Sequence, residues 1–179
     1  MASVKTRSGT TILKNLVKPL IPIIFASKPH TMSFTKSVYH IVFGTKHRQA
    51  VIPIEHERRV YKILFDLMKS YGAYVYRIGG MPDHVHILVD ISSKNALTDF
   101  VKRLKQESSF LIKNDGIFPG WCGWSEGYGA FTYSSSDIPS VMQYICNQKE
   151  HHKKISFIDE YRQWLIEMGV SPDAPFFPK

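Results

Sequence analysis

Along residues 36–169 the spacing of apolar positions alternates between two periods, and each switch marks an element. Val38 to Gly44 is rich in β-branched and aromatic residues and predicts a strand. From Glu55 to Tyr71 the apolar residues Val60, Tyr61, Leu64, Leu67, Met68 and Tyr71 recur at helical spacing, and Gly72 supplies the stop. Ala73 to Ile78 predicts a second strand, and Gly79-Gly80-Met81-Pro82-Asp83 reads as a turn by composition. His84 to Ile91 alternates cleanly: Val85, Ile87, Val89 and Ile91 point one way, His84, His86, Leu88 and Asp90 the other. A second helix is expected over Ala96 to Lys113, with Leu97, Phe100, Val101, Leu104 and Leu111 on its buried stripe. A Gly- and Trp-rich loop, Phe118 to Gly127, leads to a short fourth strand around Gly129 to Ser134. Helices over Ser140 to Lys153 and Phe157 to Met168 follow, and Gly169 closes the last.

The resulting order, β-α-β-β-α-β and then two helices, predicts an α+β fold of ferredoxin-like type. In it two helices pack on one face of a four-stranded antiparallel sheet. The Val/Ile face of the third strand then buries under those helices, which leaves His84 and His86 on the opposite face. The 179 residues predict one domain, here over residues 32–170. Residues 1–31 read as a basic, flexible extension, or as chain upstream of a start at Met32. Residues 171–179, with Pro172, Pro175 and Pro178, read as a Pro-rich tail.

Composition changes this picture in two respects. Lys and Arg number 23 against 15 Asp and Glu, a net +8 that favours a polyanionic partner. Yet Lys5, Arg7, Lys14, Lys18 and Lys28 all fall in residues 1–31, which hold no acid, so the rest carries only +3. Local clusters therefore matter more than the total. Two cysteines, Cys122 and Cys146, exclude a disulfide-dense scaffold and a four-cysteine zinc site. They fit a reducing compartment, and the expectation is a cytoplasmic protein. The longest apolar run of the extension, Leu20 to Ala26 interrupted by Pro22, is far short of the roughly 20 residues that span a bilayer.

Two constellations carry candidate chemistry. His84-Val85-His86 places imidazoles at i and i+2 of a strand, on one face and about 7 Å apart along the backbone, close enough to converge on one divalent ion. Such pairs also occur without a ligand. In Tyr144-Ile145-Cys146-Asn147-Gln148 the apolar stripe of the helix gathers Val141, Met142, Ile145 and Cys146. Tyr144 falls roughly 130° from the middle of that stripe at about 100° per residue, with Gln148 one turn beyond it. A core tyrosine would sit in the stripe; a reactive or a half-exposed structural tyrosine both fit the edge. His151 and His152 read as a solvated helix end, with contact to phosphate or help in proton transfer as the alternative for His151 near the Tyr144 edge, and His40 and His47 are left out of the catalytic set.

Together, PDHVHILVDI, YICNQKEHH and the upstream YHIVFGTKHR resemble the small single-tyrosine HUH transposases of bacterial insertion sequences and their REP-associated tyrosine transposase relatives. The resemblance covers about Thr35 to Gly169. It implies that His84, His86 and Gln148 hold a Mg²⁺ or Mn²⁺ ion and that Tyr144 is the nucleophile. It further implies cleavage and rejoining of single-stranded DNA at hairpins at the ends of a mobile element, through a 5′-phosphotyrosine. A homodimer whose active sites are shared between chains is implied as well. Lys46 and Arg48 match the family's Thr-Lys-x-Arg segment, and Lys102, Arg103 and Lys105 occupy the polar side of the second helix, so all five are candidate DNA contacts. Trp121, Trp124, Tyr128, Phe131 and Tyr133 either stack on unpaired bases or close a small core. A domesticated nickase of repeated hairpins, or a non-catalytic nucleic-acid-binding module of the same fold, are the rival readings.

Overall fold

The computed structural model describes residues 35–171. The extension over residues 1–31 and the tail from Pro172 onward lie outside them.

Four strands form one antiparallel sheet in the order β2-β3-β1-β4: β1 (Val38–Gly44), β2 (Tyr74–Met81), β3 (His84–Asp90) and β4 (Gly129–Thr132). Helices α1 (Glu57–Ser70) and α2 (Leu97–Asn114) cover one face. There Ile41, Phe43, Val85, Ile87 and Val89 meet Val60, Leu64 and Met68 of α1 and Phe100, Val101 and Leu104 of α2. This is the predicted α+β architecture, and it follows from the period-2 pattern of β1 and β3 facing the period-3.6 stripes of the helices.

The opposite face is covered too. Helix α3 (Ile138–Cys146) lays Ile138, Val141 and Ile145 on Val38 and Leu88. After the single turn α4 (Gln148–His151), helix α5 (Phe157–Glu167) lays Phe157, Tyr161, Trp164 and Leu165 on Val42 and Phe131. The histidines of β3 are thus sandwiched between sheet and helices: His84 and His86 are 1% and 0% exposed.

Four local expectations need correction. The Gly79–Asp83 turn is shorter than its composition suggests: β2 runs through Gly79 and Gly80 to Met81, and Pro82-Asp83 alone makes the hairpin. The two glycines answer to close approach. A Cβ on Gly79 would lie 2.8 Å from both Cγ2 and the carbonyl oxygen of Ile145, and one on Gly80 would lie 2.2 Å from the His84 carbonyl oxygen. The helix expected over Ser140–Lys153 begins earlier, with Pro139 in its first turn where no amide hydrogen is needed. It is interrupted at Asn147, whose amide is shared between the carbonyls of Gln143 and Tyr144. Cys146 is exposed rather than part of the apolar stripe, which centres on Val141 and Ile145. Finally, Leu111 is exposed instead of on the buried stripe of α2, where Ile112 takes its place. Of the two readings of the aromatic set, Trp121, Trp124 and Phe131 take the core one: all three are buried, with Trp124 edge-on to both Trp121 and Phe43. No helix among the described residues is long and apolar enough to cross a membrane.

Candidate active site

The hairpin between β2 and β3 is tied down before its histidines begin. The Thr45 amide donates to the Asp83 carbonyl at 2.8 Å, and the Ile52 amide to the Pro82 carbonyl at 2.9 Å. Directly after β1, Lys46–Arg48 forms a single 3₁₀ turn with His47 and Arg48 at φ 56° and 57°. That unusual left-handed pair turns the Arg48 guanidinium back onto Asp83, Nη2 to Oδ2 at 2.6 Å. The other carboxylate oxygen of Asp83 lies 2.7 Å from His84 Nδ1. A carboxylate accepts, so Nδ1 carries the hydrogen and Nε2 of His84 keeps its lone pair.

His86 is oriented by a different neighbour. Its Nδ1 lies 3.1 Å from Nε2 of His40, one strand over on β1, with the rings stacked at 5.3 Å. His86 Nε2 is buried and makes no hydrogen bond among the described residues. His152, just past α4, has Nδ1 3.0 Å from the Ile155 carbonyl, which again assigns the hydrogen to Nδ1. Its Nε2 faces His84 Nε2 at 3.1 Å. Two imidazole lone pairs pointed at each other at that distance are repulsive unless a proton or a cation lies between them.

Glu160 on α5 completes the group. It is 4% exposed, although it sits on the same helical face as Phe157, Tyr161, Trp164 and Leu165. Ser156 caps α5 by accepting from the Asp159 amide and so sets the rotation that turns Glu160 inward. Around its carboxylate lie Gln148 Nε2 at 3.3 Å, His151 Nε2 at 3.1 Å and His152 Nε2 at 3.4 Å. The Tyr144 hydroxyl donates to Glu160 Oε1.

Burial controls the charges. It pushes His40 down to about 3 and His84 to about 4, the latter against the pull of Asp83, and holds His86 well below its ordinary value. Burial likewise raises the Glu160 carboxyl to about 8, with the Arg48 charge opposing. Burial would raise Asp83 as well, but its hydrogen bond to His84 and the charges of His84 and Arg48 prevail and hold it low. The imidazoles are therefore neutral ligands at physiological pH.

One ligand atom from each of His84, His86, His152 and Glu160 lies within 4.8 Å of the others. An ion with bonds of about 2.0–2.3 Å places opposite ligands up to about 4.6 Å apart, so little adjustment is needed for all four to share one. Buried atoms without a hydrogen bond, His86 Nε2, Gln148 Oε1 and Glu160 Oε2, cluster here, as expected of a site built for a cation. Imidazole, amide and carboxylate together do not select one divalent ion.

The structure brings His84, His86, Tyr144 and Gln148 together, with Tyr144 half-buried between the His86 and His151 rings. It corrects the reading of His152 as a solvated helix end, since its side chain is 6% exposed and sits in the cluster. His151, at 27%, is half-buried on the Tyr144 side. Sequence reasoning missed Glu160, His40 and Asp83. An acid in the otherwise apolar stripe of the last helix was the available signal for the first, and an imidazole on an inward strand face for the second. Among the candidate DNA contacts, Lys46, Arg48 and Lys105 line one groove, whereas Lys102 and Arg103 do not. Arg103 is paired with Glu107 and stacked on Tyr71.

Comparison with known proteins identifies the family of the chain. The family described as IS200-like transposase covers residues 33–148. The ISDra2 transposase TnpA of Deinococcus radiodurans is 31% identical over 121 residues, 65% of this chain and 85% of that protein. The transposase of insertion sequence element IS200 from Salmonella typhimurium is 32% identical over 64% of this chain and 78% of its own length. A Deinococcus radiodurans crystal structure described as a transposase superposes with a TM-score of 0.53 at 30% identity, over 65% of this chain and 93% of that one. A REP-associated tyrosine transposase bound to a REP hairpin shares the fold, with a TM-score of 0.52 at 9% identity over 69% and 73% of the two chains. A four-stranded antiparallel sheet carrying a His-Val-His strand, with a match through Gln148, leads to one conclusion: this chain belongs to the IS200-like transposases.

Proposed function

We propose that the protein cleaves and rejoins single-stranded DNA through a covalent bond to Tyr144. The observation that carries this reading is the Tyr144 hydroxyl donating to Glu160 within the cluster that holds the His84 and His86 nitrogens. A phenol with an ordinary pKa near 10 is a weak nucleophile at neutral pH; Glu160, which burial keeps protonated in the metal-free chain, would ionise beside a bound cation, and its carboxylate then both aims the oxygen and accepts its proton.

His84, His86 and Gln148 would hold the divalent ion, Mg²⁺ or Mn²⁺, with His152 and Glu160 in reach of it. When bound, that ion neutralises charge on the phosphate and the leaving oxygen. The chain's own groups do the rest. Tyr144 Oη attacks phosphorus, the bond to the 3′ oxygen breaks, and its electrons leave with that oxygen. The phenolic proton passes to the ionised Glu160 carboxylate and from there, through solvent, to the departing oxygen, which becomes a 3′-OH. The 5′-phosphotyrosine keeps the energy of the broken ester, so attack by another 3′-OH reverses the step without ATP. Imidazole and amide ligands are neutral, which leaves the charge of the ion for the substrate.

A hairpin at an element end as substrate is supported by the fold shared with the relative bound to a REP hairpin. The reading includes a homodimer, which would hold two ends at once, while Tyr144 already meets the cluster of its own chain.

Incubation with labelled single-stranded hairpins and Mn²⁺ tests the proposal. Covalent adducts should form with the native protein and vanish with Tyr144→Phe, while hairpin binding is retained. Adducts of undiminished yield in that variant would remove Tyr144 from its role. Binding without any divalent-ion-dependent nicking would instead identify a non-catalytic module.

A further inference from the structure

Beside the cluster, a groove of about 770 Å³ opens between the Lys46–Arg48 turn, the exposed face of α2 and the loop before β4. Its lining combines two chemistries. Lys46, Arg48, Lys105 and Lys113 supply cationic groups, against Glu126 as the acid of the lining. Phe43, Trp124 and Phe110 supply apolar surface, and Phe110 is 67% exposed on α2 with no core to join. Lys105 is held in place by the carbonyls of Glu126 and Gly127 at 2.9 and 3.1 Å, whereas Lys46 and Lys113 extend into solvent.

The groove adjoins the candidate active site through Arg48 and Phe157, while the candidate ligands themselves lie outside its lining. Arg48 lines it and also binds Asp83, the residue that holds His84. The Arg48 guanidinium lies 3.6 Å over the Phe157 ring, and that ring stacks on His84 at 4.4 Å. One wall of the groove is thus the back of the histidine cluster.

We infer that this groove holds the single-stranded DNA running on from the scissile phosphate, with an unpaired base stacked on Phe110 and backbone phosphates at Lys46 and Lys113. The excess of cations fits a polyanion. The exposed ring selects among polyanions, because a base offers its π face only when it is unpaired, and a duplex hides it. The volume lies within the range of about 300–1,000 Å³ that encloses molecules the size of one or two nucleotides. The inference rests on the reading of the site as a single-strand transferase and adds the path of its substrate.

The test uses fluorescein-labelled oligo(dT) of twelve nucleotides and a duplex of equal length, titrated by anisotropy at several salt concentrations. The native protein should prefer the single strand. Phe110→Ala should weaken single-strand binding about 5- to 100-fold and leave duplex binding unchanged. Lys113→Ala should lower the salt slope by about 0.7. Both sites are exposed, so both variants should keep the native melting temperature and Mn²⁺ affinity. Unchanged oligo(dT) affinity in both variants overturns the inference. So does a loss in Lys113→Ala alone with equal single-strand and duplex binding, which marks a general polyanion surface. Absence of adducts from the native protein, alongside a Phe110 effect, would count against the catalytic reading and leave the groove standing.

Discussion

His84 and His86 present the same nitrogen, Nε2, to the cluster because each has its Nδ1 engaged elsewhere, by Asp83 in one case and His40 in the other. A ligating imidazole needs this, since a free ring divides its proton between two nitrogens and rotates about its side-chain bonds. Among the described residues His40 has no other hydrogen bond from its ring, and its Nδ1 is buried without a partner there. The cost of burying that atom makes sense if the ring's work is to hold His86. Replacing His40 by Phe, which keeps the ring volume and stacking, should lower Mn²⁺ affinity about 10- to 100-fold with little change in melting temperature without metal. Titration of Mn²⁺ by electron paramagnetic resonance reads this directly, and an unchanged affinity would reduce His40 to packing. The His84/His86 pair was legible as a pair; the partners that orient it were not, because Asp83 precedes His84 as an ordinary turn residue and His40 lies 46 positions away from His86.

At the scale of elements, the position of α3 relative to the sheet sets where Tyr144 ends up. Gly79 allows α3 to approach β2 until the Ile145 carbonyl and side chain rest where a Cβ would be. Tyr144 is the residue before Ile145, so pushing the helix outward moves the phenol with it. Gly79→Ala should therefore destabilise the fold by about 1–3 kcal/mol, measured by urea unfolding, and should slow adduct formation beyond what stability explains. Composition reads Gly79-Gly80 as a turn because glycine marks turns in general. Only the packed structure distinguishes a glycine needed for a bend from one needed for contact. In α5 the apolar stripe was legible, and Glu160 within it was the exception that carried information. A buried carboxylate is costly, and it is tolerated here among Tyr144, Gln148 and two histidines.

For the whole molecule, the buried imidazoles make stability depend on pH. His40, at about 3, His84, at about 4, His86, well below its ordinary value, and His152, also lowered by burial, bind fewer protons folded than unfolded below about pH 6.5. Their contribution is complete above that pH and is lost as pH falls toward 4. Glu160, raised to about 8, acts oppositely: the folded state holds its proton over the interval from about 4.5 to 8, so stability declines there as pH rises. Four imidazoles outweigh one carboxyl below pH 6.5, and Glu160 alone of these remains above it. The melting temperature of the metal-free protein should thus rise steeply from pH 4.5 to 6.5 and drift down toward pH 8; a flat profile would mean that the imidazoles are not buried in solution. At pH 7, Mn²⁺ at 100 times its dissociation constant should add about 2.7 kcal/mol, and His86→Ala should abolish most of that gain.

The order of elements, the face on which His84 and His86 lie and the placement of Tyr144 at the edge of its helix all follow from local periodicity. A strand repeats every two residues and a helix every 3.6, and both repeats are written in consecutive positions. Which side chains converge is a different matter. Glu160, His152 and His40 join the two histidines through the sheet order β2-β3-β1-β4 and the docking of α5 across it, contacts between residues far apart in the chain, and Asp83, the neighbour of His84, is held by Arg48 from 35 positions away. Charge follows the same division. Net charge is a sum over residues, whereas the neutral imidazoles and the proton on Glu160 result from burial, and burial exists only once the chain has packed.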